Sequence, residues 1–462
     1  MIELSTFKLV SPYAFLDDSF YNKVQPAKFP KLITRYRNPY FEEFNNLSDE
    51  EWTNLFGKFE SPLLPEGKNF AMRYHGHQFQ VYNPDIGDGR GFTIAQFYKN
   101  NDLLDLGTKG SGITPYSRSG DGRLTLKGGV REVLCSNYLD ALGVNTSKSI
   151  SLVETGEQLS RNDEPSPTRS SLLVRVSHSH LRIGTFQYHA FHQDFQSIEF
   201  LISSIGKYYF KFSDQNNLPI NIFSEIVCRC AQLAASYNIY GFVHGVLNTD
   251  NINITGESFD YGPYRFLEKY DPNKIAAYFD RFGLYRFSKQ ADAIFWNVQQ
   301  LASIFTKFLD KELLVNELKK FVDLYNDEVL RLLFKRLMIK PHINPNHNTR
   351  FLNQFYQILS DQDFFYEEVY YDLRGGMQKI KNRKDLNQKY QKYNLEKIFQ
   401  NHDSIQELSL DKLNLIPYET LYYDEIEKIW DAIDKYDDWS LFNNKIDSIN
   451  KLKEANIING LG

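Results

Sequence analysis

His244–Gly262 reads HGVLNTDNINITGESFDYG. Phe242 and Val243 just before it are apolar and strand-like, and they follow a long apolar helical stretch that turns at Gly241. The turn after them sets Asp250 beside Asn251, and Asp260 follows on the next loop, in DYGP. A carboxylate, an amide and a second carboxylate are hard oxygen donors, the small set that holds Mg²⁺ against phosphate oxygens. A free carboxylate at such a place also accepts the proton of an incoming hydroxyl. Asp and Asn often do no more than cap turns. The combination HGxLxxDN followed by DYG is more specific than a capped turn.

The kinase signature is H-R-D-L-x-x-x-N followed by D-F-G. His244, Leu247, Asn251 and Asp260-Tyr261-Gly262 match it, but Val246 stands where the catalytic Asp belongs. Asp250, directly before Asn251, is the nearby substitute. At this stage a damaged kinase loop, a different nucleotide-using transferase and a nucleotide-binding scaffold all remain open.

Upstream, residues 71–125 are rich in Gly turns separated by short apolar runs, which reads as strands and loops. GDGRG (87–91) offers backbone amides to phosphates through Gly87 and Gly89, with Arg90 beside them. Lys109, in LGTKGSG, is strand-adjacent and suited to a phosphate. LKGGVREVLCSNYLDALGV (126–144) has helical periodicity, with Gly143 as its cap. Glu132 on that helix is placed to pair with Lys109, as a strand Lys and helix Glu do in kinases. GDGR recurs at 120–123, where Asp121 would orient a basic residue or meet the nucleotide and Gly122 allows close approach. KSISLVET and SSLLVRVSHSHLRIG read as strands, with GEQLSRNDEPSPTR as a polar loop between them. Arg175 and Arg182 are expected to point into one cleft from adjacent strands, where two guanidinium groups would grip a polyphosphate.

Before residue 70 the pattern is short helices broken by Pro, with Ser48 as an N-cap in SDEEWTNLFGKF. Beyond about residue 190 it is mostly helical, including KQADAIFWNVQQLASIFTKFL. The expected fold class is α+β: a bilobal, protein-kinase-like arrangement with a strand-rich N-lobe, a helical C-lobe and extra N- and C-terminal helical segments. The expected divisions are an N-terminal extension (1–70), a phosphate-binding N-lobe (71–190), a C-lobe with the catalytic and metal-binding loops (191–310), and a helical C-terminal region (311–462). Architecture of this kind supports function only by analogy.

Composition narrows the class. The 462 residues are 42% hydrophobic and 24% charged, so the chain is a globular protein rather than a disordered one. A net charge of −5 without a long basic block argues against nucleic acid as partner. No apolar run nears the roughly 18 residues of a membrane span. MIELSTFKLVSPYAF lacks the pattern of a secretory signal, and Cys135, Cys228 and Cys230 do not make a disulfide scaffold. A cytoplasmic location is expected. The pairs His75/His77, His178/His180 and His189/His192 lack neighbouring ligands at zinc spacing.

YHGHQF (74–79), GDGRG (87–91), TPYSRSGDGR (114–123), VREVL (130–134), RVSHSHLRIGTFQ (175–187), the segment 240–268 and YDPN (270–273) together resemble the selenoprotein O family, over about half the chain. The resemblance implies a pseudokinase-like fold that acts as a protein adenylyltransferase. Such a protein binds ATP in a flipped orientation and transfers AMP to Ser, Thr or Tyr hydroxyls of protein substrates, releasing pyrophosphate. It implies Gly87, Gly89, Arg90, Lys109, Asp121, Gly122, Arg175, Arg182 and Asp260 at the nucleotide and Asp250 as proton acceptor. It also implies Asn251 and Asp260 as ligands of Mg²⁺, or of Mn²⁺. Family members often pair a C-terminal Cys or selenocysteine with a Cys after YDPN. Here KIAAYF follows YDPN and the tail ANIINGLG has no Cys, so that redox control is not expected. Residues 310–462 depart from the family pattern.

Overall fold

The computed structural model describes residues 7–162, 164–214, 216–404, 413 and 415–460. It is an α+β protein built on an antiparallel sheet. The strands are β1 (Tyr21–Lys23), β2 (Ile33–Arg37), β3 (Phe70–Met72), β4 (Gly76–Gln78), β5 (Val81–Asn83), β6 (Thr93–Lys99), β7 (Asp102–Lys109), β8 (Leu124–Thr125), β9 (Lys148–Leu159) and β10 (Thr168–Ser177). The main sheet runs β1-β3-β6-β7-β10-β9-β2, with β8 beside β10 and β4–β5 as a separate hairpin. Asn100 and Asn101 both take positive φ, 51° and 68°, between β6 and β7. A two-residue turn of that hand matches strand twist, and Asn tolerates it at low cost.

Period-two alternation divides the sheet into two faces. Leu172, Val174 and Val176 of β10 join Phe44, Trp52 and Phe56 of the N-terminal segment in one core cluster. Leu173 joins Val130, Val133 and Leu134 in the larger cluster on the other face. These last three belong to α2 (Leu126–Ala141), whose N-cap Thr125 accepts from Gly128 N at 3.1 Å. A cap of this kind is worth about 1 kcal/mol. Lys109 pairs with Leu173 and Gly107 with Arg175 in the β7–β10 register. Lys109 and Arg175 therefore share the α2 face of the sheet.

Two expectations need correction. The segment before residue 70 is not only helical: it supplies β1, on β3, and β2, on β9. Both are short, half-buried edge strands whose apolar pattern is too weak to read. The Ser48 cap does form, as a full capping box at the start of α1 (Asp49–Thr53). The polar stretch expected as a loop over 156–169 is a loop between Leu159 and Thr168, but its two ends extend the ladder, through Leu159↔Thr168 and Gln158↔Arg169. Its charged residues pair along the sheet, as in Arg169–Glu154 at 2.8 Å and Arg123–Glu157 at 2.7 Å.

Helices dominate after residue 182. They begin with α3 (Ile183–Phe191), α4 (Phe195–Tyr208), α5 (Leu218–Ile239), α6 (Gln290–Phe305) and α7 (Lys311–Leu337). α5 and α7 pack side by side in the large core. The last two described helices, Tyr423–Tyr436 and Ser440–Ile458, fold back onto α2. Lys453 Nζ meets Asp140 at 2.6 Å and Asn456 Nδ2 donates to Ala141 O at 2.8 Å. No helix among the described residues is long and apolar enough to cross a membrane.

Candidate active site

After α5 the chain forms β11 (Phe242–Val243), which pairs with β12 (Arg265–Phe266). Gln290, the first residue of α6, holds β11 at two points: its Nε2 donates to Phe242 O at 2.7 Å and its Oε1 accepts from His244 N at 2.9 Å. Asn297 Nδ2 then takes Leu247 O at 2.8 Å. A 3-10 turn follows at Thr249–Asn251. His244 is buried, which keeps its ring neutral, and its Nε2 donates to Phe259 O at 2.8 Å. The ring thereby ties the Asp250 turn to the loop that carries Asp260. Residues 252–254 pair with 181–183, through Ile183 N to Ile252 O at 3.1 Å and Ile254 N to Leu181 O at 3.1 Å. That pairing brings Arg182 alongside Asp250.

Asp260 is the electrostatic centre. Its Oδ1 accepts from Lys109 Nζ at 2.9 Å and from Arg175 Nη1 at 2.9 Å, and Arg182 Nη1 lies 3.8 Å from Oδ2. Burial alone would raise its pKa. Lys109, Arg175 and Arg182 outweigh burial and hold the carboxyl well below the usual range. Lys109 also contacts Glu132 of α2. Arg182 is shared further. It donates to Asp250 O at 3.1 Å, meets Asp88 at 3.2 Å, and stacks over Tyr74 and Phe259 at 4.4 and 4.9 Å.

Asp250 differs in kind. Its side chain is buried and Oδ1 has no hydrogen-bond partner. Burial pushes its pKa up to about 6, against the opposing pull of Arg182. A buried carboxyl with a raised pKa that lines a cleft is suited to accept a proton from a hydroxyl that enters it.

That cleft has a volume of about 670 Å³. Lys109, Arg175, Arg182, Asp250 and Asp260 line its floor, and the turns with Gly87, Gly89, Arg90, Asp121 and Gly122 line its wall. Gly87 lies against the Tyr116 ring, where a Cβ would come within 2.4 Å. Asp121 sits at the rim, gripped by Arg161 at 2.8 and 3.0 Å. Asn251 is half-buried in the turn beside Asp250 but is not among the cleft-lining residues. Arg182 departs from its expected position: it is the N-cap residue of α3, not part of a strand adjacent to Arg175. The turn at Ser177–Leu181 redirects the chain, and the contact with Asn253 is an isolated bridge. Sequence reasoning missed Tyr74, Asp88, Tyr116 and Arg161, all in the cleft. Tyr74, Asp88 and Tyr116 lie inside or beside motifs read for their Gly and Arg residues.

The profile of the family described as "Protein adenylyltransferase SelO" matches residues 4–450. The chain is 38% identical over 474 aligned positions to the protein nucleotidyltransferase YdiU of Synechocystis sp., covering 96% of this chain and 97% of that protein. It is also 38% identical to YdiU of Trichodesmium erythraeum, with 94% and 96% covered. Against YdiU of Gloeobacter violaceus identity is 49% over 285 residues, 60% of this chain and 58% of that protein. The chain belongs to the SelO family.

The donors of this SelO chain suit a hard cation. Asp260 and Asp250 line one cleft, and Asn251 follows Asp250 in the same turn. Among the described residues there is no group of three or more His, Cys, Asp or Glu able to hold a metal. Cys135, Cys228 and Cys230 are all free thiols.

Proposed function

We propose that this chain is a protein adenylyltransferase that moves AMP from ATP to Ser, Thr or Tyr hydroxyls of proteins. In this reading the fold is a bilobal, kinase-like one, with ATP turned around so that the α-phosphate faces Asp250 and Asp260. Asp250 takes the proton of the acceptor hydroxyl. The hydroxyl oxygen bonds to the α-phosphorus, the bond from that phosphorus to the β-bridging oxygen breaks, and pyrophosphate leaves. Lys109, Arg175 and Arg182 bind the phosphate chain and stabilise the charge that develops on it. Asn251 and Asp260 would hold Mg²⁺ or Mn²⁺, which supplies charge neutralisation when bound. The Gly87–Gly91 and Gly120–Arg123 turns hold the β- and γ-phosphates.

The observation that carries this reading is Asp250, a buried carboxyl that lines one cleft with Lys109, Arg175 and Arg182, in a chain where Val246 replaces the usual kinase base. The Lys109–Glu132 pair supports a second reading, γ-phosphoryl transfer, because kinases use such a pair. Tandem mass spectrometry of lysate proteins incubated with the enzyme, ATP and Mg²⁺ separates them. Adenylyl adducts on hydroxyl side chains are expected, whereas phosphoryl adducts alone, or no adduct, would reject the proposal.

A further inference from the structure

The motif YHGHQF (74–79) lies beside the nucleotide cleft, yet only Tyr74 lines it. Its residues Gly76–Gln78 form β4, which abuts the turn that carries Asp250. A Cβ at Gly76 would stand 2.5 Å from Asp250 Oδ1. The Gln78 amide, whose Oε1 accepts from Asn83 Nδ2 at 2.9 Å, faces the Asp250 carboxyl. Phe79 N donates at 3.0 Å to Asn248 Oδ1, which also accepts from Tyr285 OH at 2.7 Å.

Three side chains from three elements close a ring at this contact. His77 N on β4 donates to Thr249 Oγ1 at 2.7 Å. Thr249 Oγ1 in turn donates to Gln187 Oε1 of α3 at 2.7 Å. With its oxygen used, Gln187 presents Nε2 to His77 Nδ1 at 2.7 Å. With Gln187 in this orientation, Nδ1 is the acceptor and the His77 proton sits on Nε2. Thr249 is fully buried and Gln187 is 4% exposed. Each member has one donor and one acceptor role, so loss of any member leaves a buried polar group unpaired.

We infer that His77, Gln187 and Thr249 are a positioning ring that fixes the Asp250 turn against the phosphate-binding elements. The inference rests on Asp250 being the proton acceptor. None of the three lines the cleft, so they act through Asp250 rather than on ATP. The α3 helix that provides Gln187 begins at Arg182, which grips Asp250 O, so the turn is held from both sides by one helix.

The test is the initial rate of label transfer from α-labelled ATP to lysate protein, over a titration of ATP, with Tm measured in parallel. Thr249→Val should lower kcat about 10- to 100-fold, the cost of a misplaced catalytic group, while KM for ATP stays near the wild-type value. Thr249→Ser, which keeps the hydroxyl, should recover the rate. The double variant Thr249→Val/Gln187→Met should lose about as much as either single variant, because both break the same ring. Wild-type kcat in Thr249→Val, a loss confined to KM, or losses that multiply in the double variant would overturn the inference. If Thr249→Val does not fold, Gln187→Met and Thr249→Ser give the same comparison. If wild-type enzyme transfers label only from γ-labelled ATP, the adenylyl reading falls and the ring is judged by the same ratios on that transfer.

Discussion

At Asp260 the backbone is left-handed, with φ of 64°. A non-Gly residue there costs on the order of 1 kcal/mol. The conformation is held because Lys109, Arg175 and Arg182 converge on this carboxylate from β7, β10 and the start of α3. Replacing it leaves three cations together with reduced compensation. Asp260→Ala should therefore lose roughly 3 kcal/mol of stability without nucleotide, along with Mg²⁺-dependent ATP binding. Chemical denaturation and calorimetric ATP titration check the two effects. Asp250→Ala should do the opposite in binding: ATP affinity stays close to wild type while transfer is lost. The placing of Asp250 and Asp260 in one cleft was legible because they fall within one short stretch of unusual composition. The convergence of cations on Asp260 was not legible, because Arg182 reaches it through a helix start that the sequence presents as strand. Asp88 and Arg161 were invisible as partners, since each meets its Arg or Asp only after long-range folding.

Among the elements, the β6–β7 hairpin packs closest on itself at Gly91. A Cβ there would lie 2.0 Å from Thr108 O, a backbone atom next to Lys109. The strand has no side chain to move aside. Gly91→Ala should destabilise the protein by about 3 kcal/mol, with weaker ATP binding, measurable by thermal unfolding and nucleotide titration. At the end of β10, His178 Nδ1 meets Glu257 at 2.8 Å. The Glu257 carboxylate raises the pKa of His178, and burial opposes it. The protonated pair stabilises the fold fully below the unfolded His value of about 6.5. That contribution disappears as pH rises through the raised folded value. Denaturation midpoints of wild type should fall over this window relative to His178→Gln, whose profile should stay flat there. The long helices and central strands were readable from their periodicity. Only the outer end of the β9–β10 ladder, at Gln158–Leu159 and Thr168–Arg169, was not, because polar, Pro-containing sequence looks like loop until its cross-strand ion pairs are formed.

At the scale of the molecule, the chain ends return to the sheet. Arg169 meets Asp437 at 2.7 Å and Arg35 meets the same carboxylate at 3.1 Å, joining β10 and β2 to the turn between the last two described helices. The helix Ser440–Ile458 packs along α2, the helix that carries Glu132, and is tied to its end at Asp140. Removal of residues 440–462 should lower Tm by several degrees or more and reduce transfer along with it. Spectroscopic melting and an activity assay on the same sample would show this. Neither edge strand β1 nor β2, nor this return of the C-terminal helices, could be inferred from local pattern, since both depend on contacts between distant parts of the chain.

In the proposed reaction Asp250 and Asp260 direct attack to the α-phosphorus. Parallel incubations of wild-type and Asp250→Ala protein with ATP labelled at the α- or the γ-phosphate, in the presence of lysate protein and Mg²⁺, test it most directly. Protein-bound label is expected from α-labelled ATP only, and is expected to be lost in Asp250→Ala. Protein-bound label from γ-labelled ATP alone, or undiminished α-label with Asp250→Ala, would contradict it.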